Sequence, residues 1–124
     1  MAEQKSTLRI AVMSFEDMRA TSIARARDLD AGIDRRDSLV AFVSQELLWK
    51  KLSPKRLEAL DTMVGAGQMS IRELSRRLKR DVKAVYGDVQ VLLQERLIVR
   101  TEDGQIELPF DEVLLEVTMK AQAA

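Results

Sequence analysis

An α+β fold is what this sequence of 124 residues predicts, and three observations predict it. Residues 70–108 run SIRELSRRL, KRD, VKAVYGDVQVLLQERL and IVRTEDGQIEL: a helix, a three-residue turn, a second helix and a short hairpin. That order is the layout of a winged helix-turn-helix. Thr7 to Met13 is aliphatic, β-branched and loosely alternating, so it reads as a strand. Val113 to Met119 alternates weakly and can return as a strand beside it. The predicted architecture is a winged helix-turn-helix with an N-terminal strand–helix–strand arm, joined by a C-terminal strand. The expected divisions are 1–52 for the arm, used for dimerisation or partner binding, 53–110 for the DNA-binding unit, and 111–124 for the closing strand and a frayed tail.

The elements follow in chain order. Ser14 offers a side-chain oxygen to the start of a helix, with Asp17 three residues on. Phe15, Met18, Ser22, Ala26 and Leu29 fall at helical spacing with Ile23 beside them, giving a narrow apolar stripe, and Gly32 is the stop. Leu39 to Val43 fits a strand or a helix front. A strand is preferred because Ser44 then caps a helix over Gln45 to Lys51, with Leu47, Leu48 and Leu52 inward. Ser53-Pro54 starts a helix running to about Ala66 and burying Leu57, Leu60 and Val64. Met69 begins a very short strand. Ser70 with Glu73 forms a capping box, and Ile71, Leu74 and Leu78 face the core. Asp81 caps the next helix, whose buried face is Val82, Val85, Val89 and Leu92. Val99 and Ile106 flank Asp103-Gly104, a two-residue hairpin signal.

Composition removes several classes of chemistry. The chain has no cysteine and no histidine, so disulfides, thiolate nucleophiles, the usual zinc ligand sets and imidazole acid–base catalysis are absent. Its carboxylates show no ligand spacing. The reading is of a protein that is not an enzyme and takes no cofactor or metal. The polar start MAEQKS and the short apolar run after it cannot build a signal-peptide core or a membrane span, so a cytoplasmic protein is expected.

Net charge is zero, but its distribution is uneven. Residues 70–100 carry eight basic side chains against four acidic ones, a local +4; residues 101–124 carry one against six, a local −5. A patch of one sign steers a protein toward phosphate whatever the total. Two charged helices that merely solvate their outer faces are the competing account.

With the valines buried, the opposite face of the last helix presents Lys83, Tyr86, Gly87, Gln90 and Gln94. Lys83 can donate to guanine, Gln90 can pair bidentately with adenine, and Tyr86 can meet a phosphate or a thymine methyl. Arg72, Arg76, Arg77, Lys79 and Arg80 are the expected phosphate clamps, and Ser70 with the free N–H groups after it is a further anion site. Gly87, costly mid-helix, either admits close backbone approach to a phosphate or is a tolerated defect. The acidic hairpin tip, Glu102 and Asp103, does not suit the minor groove, so the wing is expected to pack or stand clear. Asp88 needs an Arg56 or Arg77 partner to keep it from repelling DNA. Trp49 and Phe42 read as core or interface anchors. Phe15, Met18, Ile23 and Leu29 are the expected dimer or partner surface, with service to the chain's own core as the alternative.

Taken together, Ser53-Pro54-Lys55-Arg56-Leu57, Ser70-Ile71-Arg72-Glu73-Leu74, Leu78 to Val85, Asp88-Val89 and Leu108-Pro109-Phe110-Asp111-Glu112 resemble the MarR-like winged-helix DNA-binding protein family. The resemblance covers most of the chain. It implies a small transcriptional regulator, a repressor working as a homodimer on double-stranded DNA, and the antitoxin half of a pair with a RelE/HigB-type toxin. By position, it makes Arg72, Arg80, Lys83, Tyr86 and Gln90 DNA-facing; Gly87 departs from the longer polar residue expected there. The alternative function is a protein–protein interaction module that uses the winged helix as a scaffold without DNA binding.

Overall fold

Three parallel strands hold the two ends of the chain together. The computed structural model describes residues 6–32 and 37–121. Strand β1 (Thr7–Val12) leads through α1 (Phe15–Asp30) to β2 (Asp37–Phe42). Four helices follow: α2 (Gln45–Lys51), α3 (Pro54–Met63), α4 (Ile71–Leu78) and α5 (Val82–Gln94). The hairpin is β3 (Val99–Arg100) and β4 (Ile106–Glu107), and β5 (Glu112–Glu116) closes the chain. The sheet order is β2-β1-β5, with Ile10 opposite both Val40 and Leu115. Leu39 to Val43 is thus a strand up to Phe42, beside β1, and Ser44 caps the helix that follows it. Of the expected polar link and frayed tail, residues 33–36 and 122–124 lie outside the described residues.

Side-chain alternation sets which face of the sheet is covered. Leu8, Ile10 and Phe42 are buried against the helices, with Val12, Val40, Val113 and Leu115 packed beside them. The opposite face is more polar and carries the Arg9–Glu116 pair at 2.7 Å. The ends are stitched further: the Ser6 N–H donates to Asp111 Oδ2 at 3.0 Å, and the Thr7 hydroxyl donates to Glu112 Oε1 at 2.8 Å. The same apolar cluster continues through Leu48, Leu52, Leu60, Met63, Leu74, Val85, Val89, Leu92, Leu97, Ile106 and Leu108. The sheet therefore backs directly onto the helices that position the candidate site.

Four local readings differ from the sequence pattern. Helix α3 stops at Met63 rather than near Ala66, because Val64 adopts an extended ψ of 126° and bridges to Leu108. Val82 is 42% exposed instead of buried. It occupies the first turn of α5, roughly 60° round the helix from Val85 at 100° per residue, so it misses the contact made by the following turns. The hairpin is not a two-residue turn on Asp103-Gly104. Glu102 and Asp103 form its centre, the Gly104 N–H donates to the Thr101 carbonyl at 2.9 Å, and Gly104 takes the left-handed position at φ 80°. Asp103 does not have positive φ, which a primed turn would need there, so the three-residue loop with a glycine bulge forms instead.

The fourth concerns α1. Its apolar stripe does not enter the core: Phe15 is 75% and Leu29 74% exposed, Ile23 is exposed as well, and no residue of the helix is fully buried. The side turned toward the sheet is instead the mixed row Met18, Thr21, Arg25 and Asp28, each half-buried. Met18 consequently lies away from the outward surface it was expected to share with Phe15, Ile23 and Leu29. Among the anchors expected on α2 and β2, Phe42 is buried and Trp49 is exposed.

Candidate nucleic-acid interface

Helix α4 begins where Ser70, in extended conformation, accepts the Glu73 N–H on its hydroxyl oxygen at 3.0 Å. The hydroxyl satisfies one of the donors that a helix start leaves free. The Glu73 carboxylate does not return to Ser70 as a full capping box would. It pairs with Arg77 Nε at 3.0 Å and with the Arg76 guanidinium. Leu74 and Leu78 are buried and Ile71 packs beside them, which leaves Arg72, Arg76 and Arg77 on the solvent side.

The turn is built on Lys79 in the left-handed region at φ 56°. Ser75 fastens it from below: its carbonyl accepts the Arg80 N–H at 3.1 Å, and its hydroxyl donates to the Arg80 carbonyl. Ser75 is the one buried polar residue among the described residues, and sequence pattern did not single it out. The available signal was a small hydroxyl directly after Leu74 in a row of long charged side chains. Helix α5 then starts on Asp81, whose carboxylate accepts the Lys83 N–H at 3.1 Å and the Ala84 N–H at 3.4 Å.

Val85, Val89 and Leu92 are fully buried under α5. Rotation by about 100° per residue then turns Lys83, Tyr86 and Gly87 outward, and all three are exposed; Gln90 is half-buried on the same side. Of the cations around them, Arg72, Lys79 and Lys83 have no ion-pair partner among the described residues. Arg76 and Arg77 share the charge of Glu73. This patch is thus less positive than a count of its basic residues gives, yet its unpaired groups lie at the front of α5 and around α4.

Arg80 departs most from expectation. It was placed with the phosphate clamps, but its guanidinium turns inward and donates to Asp88 Oδ2 at 2.8 Å, with the side chain only 18% exposed. Arg56 Nε donates to the other Asp88 oxygen at 3.1 Å, and Arg56 Nη1 reaches the carbonyls of Lys50 and Lys51 at 3.3 and 3.2 Å. Asp88 therefore has the Arg56 partner foreseen for it, while Arg77 goes to Glu73 and Arg80 takes the second place. Short-range pattern could not separate the two arginines; only the fold of the turn aims one of them at α5.

The wing is held by Met69, which exchanges backbone hydrogen bonds with Ile106 at 2.8 and 2.9 Å, and by the buried Ile106 side chain. Its tip leaves Glu102 and Asp103 exposed, while Arg100 Nη1 folds back onto the Gly104 carbonyl at 3.1 Å. An acidic tip whose nearest cation is turned into the loop has no charge to offer a phosphate. Among the described residues, no cluster of acidic side chains has the geometry of a metal site, and no helix is long and apolar enough to cross a membrane.

A winged helix-turn-helix between two halves of a parallel sheet is thus on view, and its sequence from 51 to 115 matches the model of the HVO_A0114 family. The chain belongs to the HVO_A0114 family. The matched span runs from the end of α2 through β5, so it takes in α3 to the wing and the closing strand but not α1. None of the curated proteins compared with this family member matches it. Among solved structures, a multiple antibiotic-resistance repressor (MarR) from Listeria monocytogenes 4b F2365 is similar at 16% identity and a TM-score of 0.45, over 75% of this chain and 61% of that one. This HVO_A0114 chain therefore spans less than two thirds of that repressor's length. The toxin association that the MarR-like resemblance implied has no counterpart in these matches.

Proposed function

We propose that this HVO_A0114 family member is a sequence-specific double-stranded-DNA-binding regulator that represses by occluding a promoter as a homodimer. The observation that carries the reading is the outward side of α5. Lys83 and Tyr86 are exposed above a fully buried Val85, Val89 and Leu92, with the unpaired cations Arg72 and Lys79 flanking them. A helix fixed from beneath can present Lys83 and Gln90 to base edges, while Arg72, Arg76 and Lys79 and the Ser70 helix start set its position on phosphates. Arg80 acts in this reading through Asp88, holding the helices at their angle.

Dimerisation is drawn from α1, whose Phe15, Ile23 and Leu29 stand in solvent although they are apolar. A two-fold dimer would space its two recognition helices by roughly 34 Å, one turn of duplex, and so reach successive major grooves. The same stripe is where a toxin partner of the kind the resemblance implies would find apolar surface.

Salt titration of duplex binding, on an operator selected from random sequence, tests the proposal. Affinity should fall steeply as salt rises, and Arg72→Ala or Lys79→Ala should each reduce the log–log slope by about one. If no duplex binds at low salt while the protein is folded, the alternative of a protein-interaction module takes its place.

A further inference from the structure

The fold makes little use of Val82. It stands in the first turn of α5, directly after the Asp81 cap, and is 42% exposed. Tyr86, one turn further along the same side, is 52% exposed. A branched side chain left in solvent adds little to the core, and valine is a poorer helix former than alanine. One exposed apolar residue alone needs no account. Here two adjoin, and Lys83, exposed and without an ion-pair partner among the described residues, lies beside them. Residues four apart on a helix have Cβ atoms roughly 5–6 Å apart, so the Val82 isopropyl group and the Tyr86 ring are neighbours on one surface.

We infer that Val82, flanked by Tyr86, reads the 5-methyl group of a thymine in the base pair next to the one Lys83 contacts. The inference rests on the DNA-binding reading and adds to it a base, and a residue, that the basic patch does not supply. In that reading the first turn of α5 lies deepest in the major groove. The valine side chain has neither donor nor acceptor, so it gains nothing from phosphate or from the polar base edges. The thymine methyl is the apolar group that the groove presents, and contact with an apolar side chain is a recurring way of reading it. Consecutive Cα atoms lie about 3.8 Å apart and stacked base pairs about 3.4 Å apart, so Val82 and Lys83 match neighbouring steps of the duplex.

Replacing single thymines of a selected operator by deoxyuridine removes the methyl group and leaves base pairing intact. The unaltered protein should bind about fourfold more weakly when one such position in a half-site is changed, the worth of one buried methyl. Val82→Ala should bind the thymine operator about fourfold more weakly and should not distinguish thymine from uracil there. Alanine favours the helix, so circular dichroism should show the fold of this variant retained. Lys83→Ala should lose preference at the neighbouring base pair yet keep the thymine-to-uracil ratio. Failure of the folded protein to bind any duplex at low salt defeats the DNA reading and this inference with it. Duplex binding with thymine and uracil equal at every position overturns the Val82 assignment alone, as does a ratio that survives Val82→Ala.

Discussion

Arg80 and Asp88 meet at 2.8 Å across the turn between α4 and α5, and Arg56 from α3 holds the second oxygen of the same carboxylate at 3.1 Å. One carboxylate on α5 thereby ties that helix to α3 and to the turn that follows α4. Asp88 is only 14% exposed on its side chain, so its loss leaves two guanidinium groups largely buried without a counter-charge. Asp88→Ala should destabilise the protein by about 3 kcal/mol, read as a lower urea midpoint with unchanged slope. Arg77→Ala, which breaks an exposed pair with Glu73, should cost under about 1 kcal/mol. Equal losses would refute the assignment of the lock to Arg80 and Arg56.

Lys83 is exposed, and its side chain has no ion-pair partner among the described residues, so nothing in the fold depends on it. Lys83→Ala should leave thermal unfolding unchanged while sequence preference for the operator drops by about 1–3 kcal/mol at one base pair. Competition binding against single-base operator variants measures this. Unchanged discrimination at every position would sink the idea that this face reads bases.

Gly87 stands in mid-helix with open space around it: a Cβ built there meets nothing within 4 Å. Gly87→Ala should therefore raise stability by about 1 kcal/mol, the propensity difference between the two residues. On the proposed interface it should also weaken duplex binding, since the added methyl lies between Lys83 and Gln90 where backbone and phosphate approach. Stabilisation with unaltered DNA affinity would identify the glycine as a tolerated defect.

The exposed stripe of α1 makes a clean test of assembly, because its members can be changed without opening the core. Phe15→Glu combined with Leu29→Glu should convert the proposed dimer into a folded monomer, as measured by sedimentation equilibrium alongside circular dichroism. Operator affinity should fall with it, since two half-sites no longer bind together. A double variant that remains dimeric would place the interface elsewhere.

Local chemistry made much of this molecule legible in advance. Ser14, Ser44, Ser53, Ser70 and Asp81 each cap the helix expected of them, because a cap is an interaction over three residues and needs no tertiary partner. The buried row of Val85, Val89 and Leu92 follows from helical periodicity in the same way. The first strand was readable from its aliphatic and β-branched run, the second from the Ser44 cap that follows it, and the last from a weak alternation.

What the sequence by itself determined was this list of elements, their caps and the outward side of α5. Tertiary structure decided which charged groups remain available, because an arginine is spent or free according to what the fold brings within about 4 Å of it. Periodicity treats Arg76, Arg77 and Arg80 alike, and only the left-handed turn at Lys79 sends the last of them inward to Asp88. It likewise decided the side α1 presents to the sheet. A weakly apolar helix packs by the shape and pairing of what lies beneath it, and here the half-buried side is the one that carries Met18, Thr21 and Arg25, with Arg25 paired to Asp37, while Phe15 and Leu29 stand in solvent.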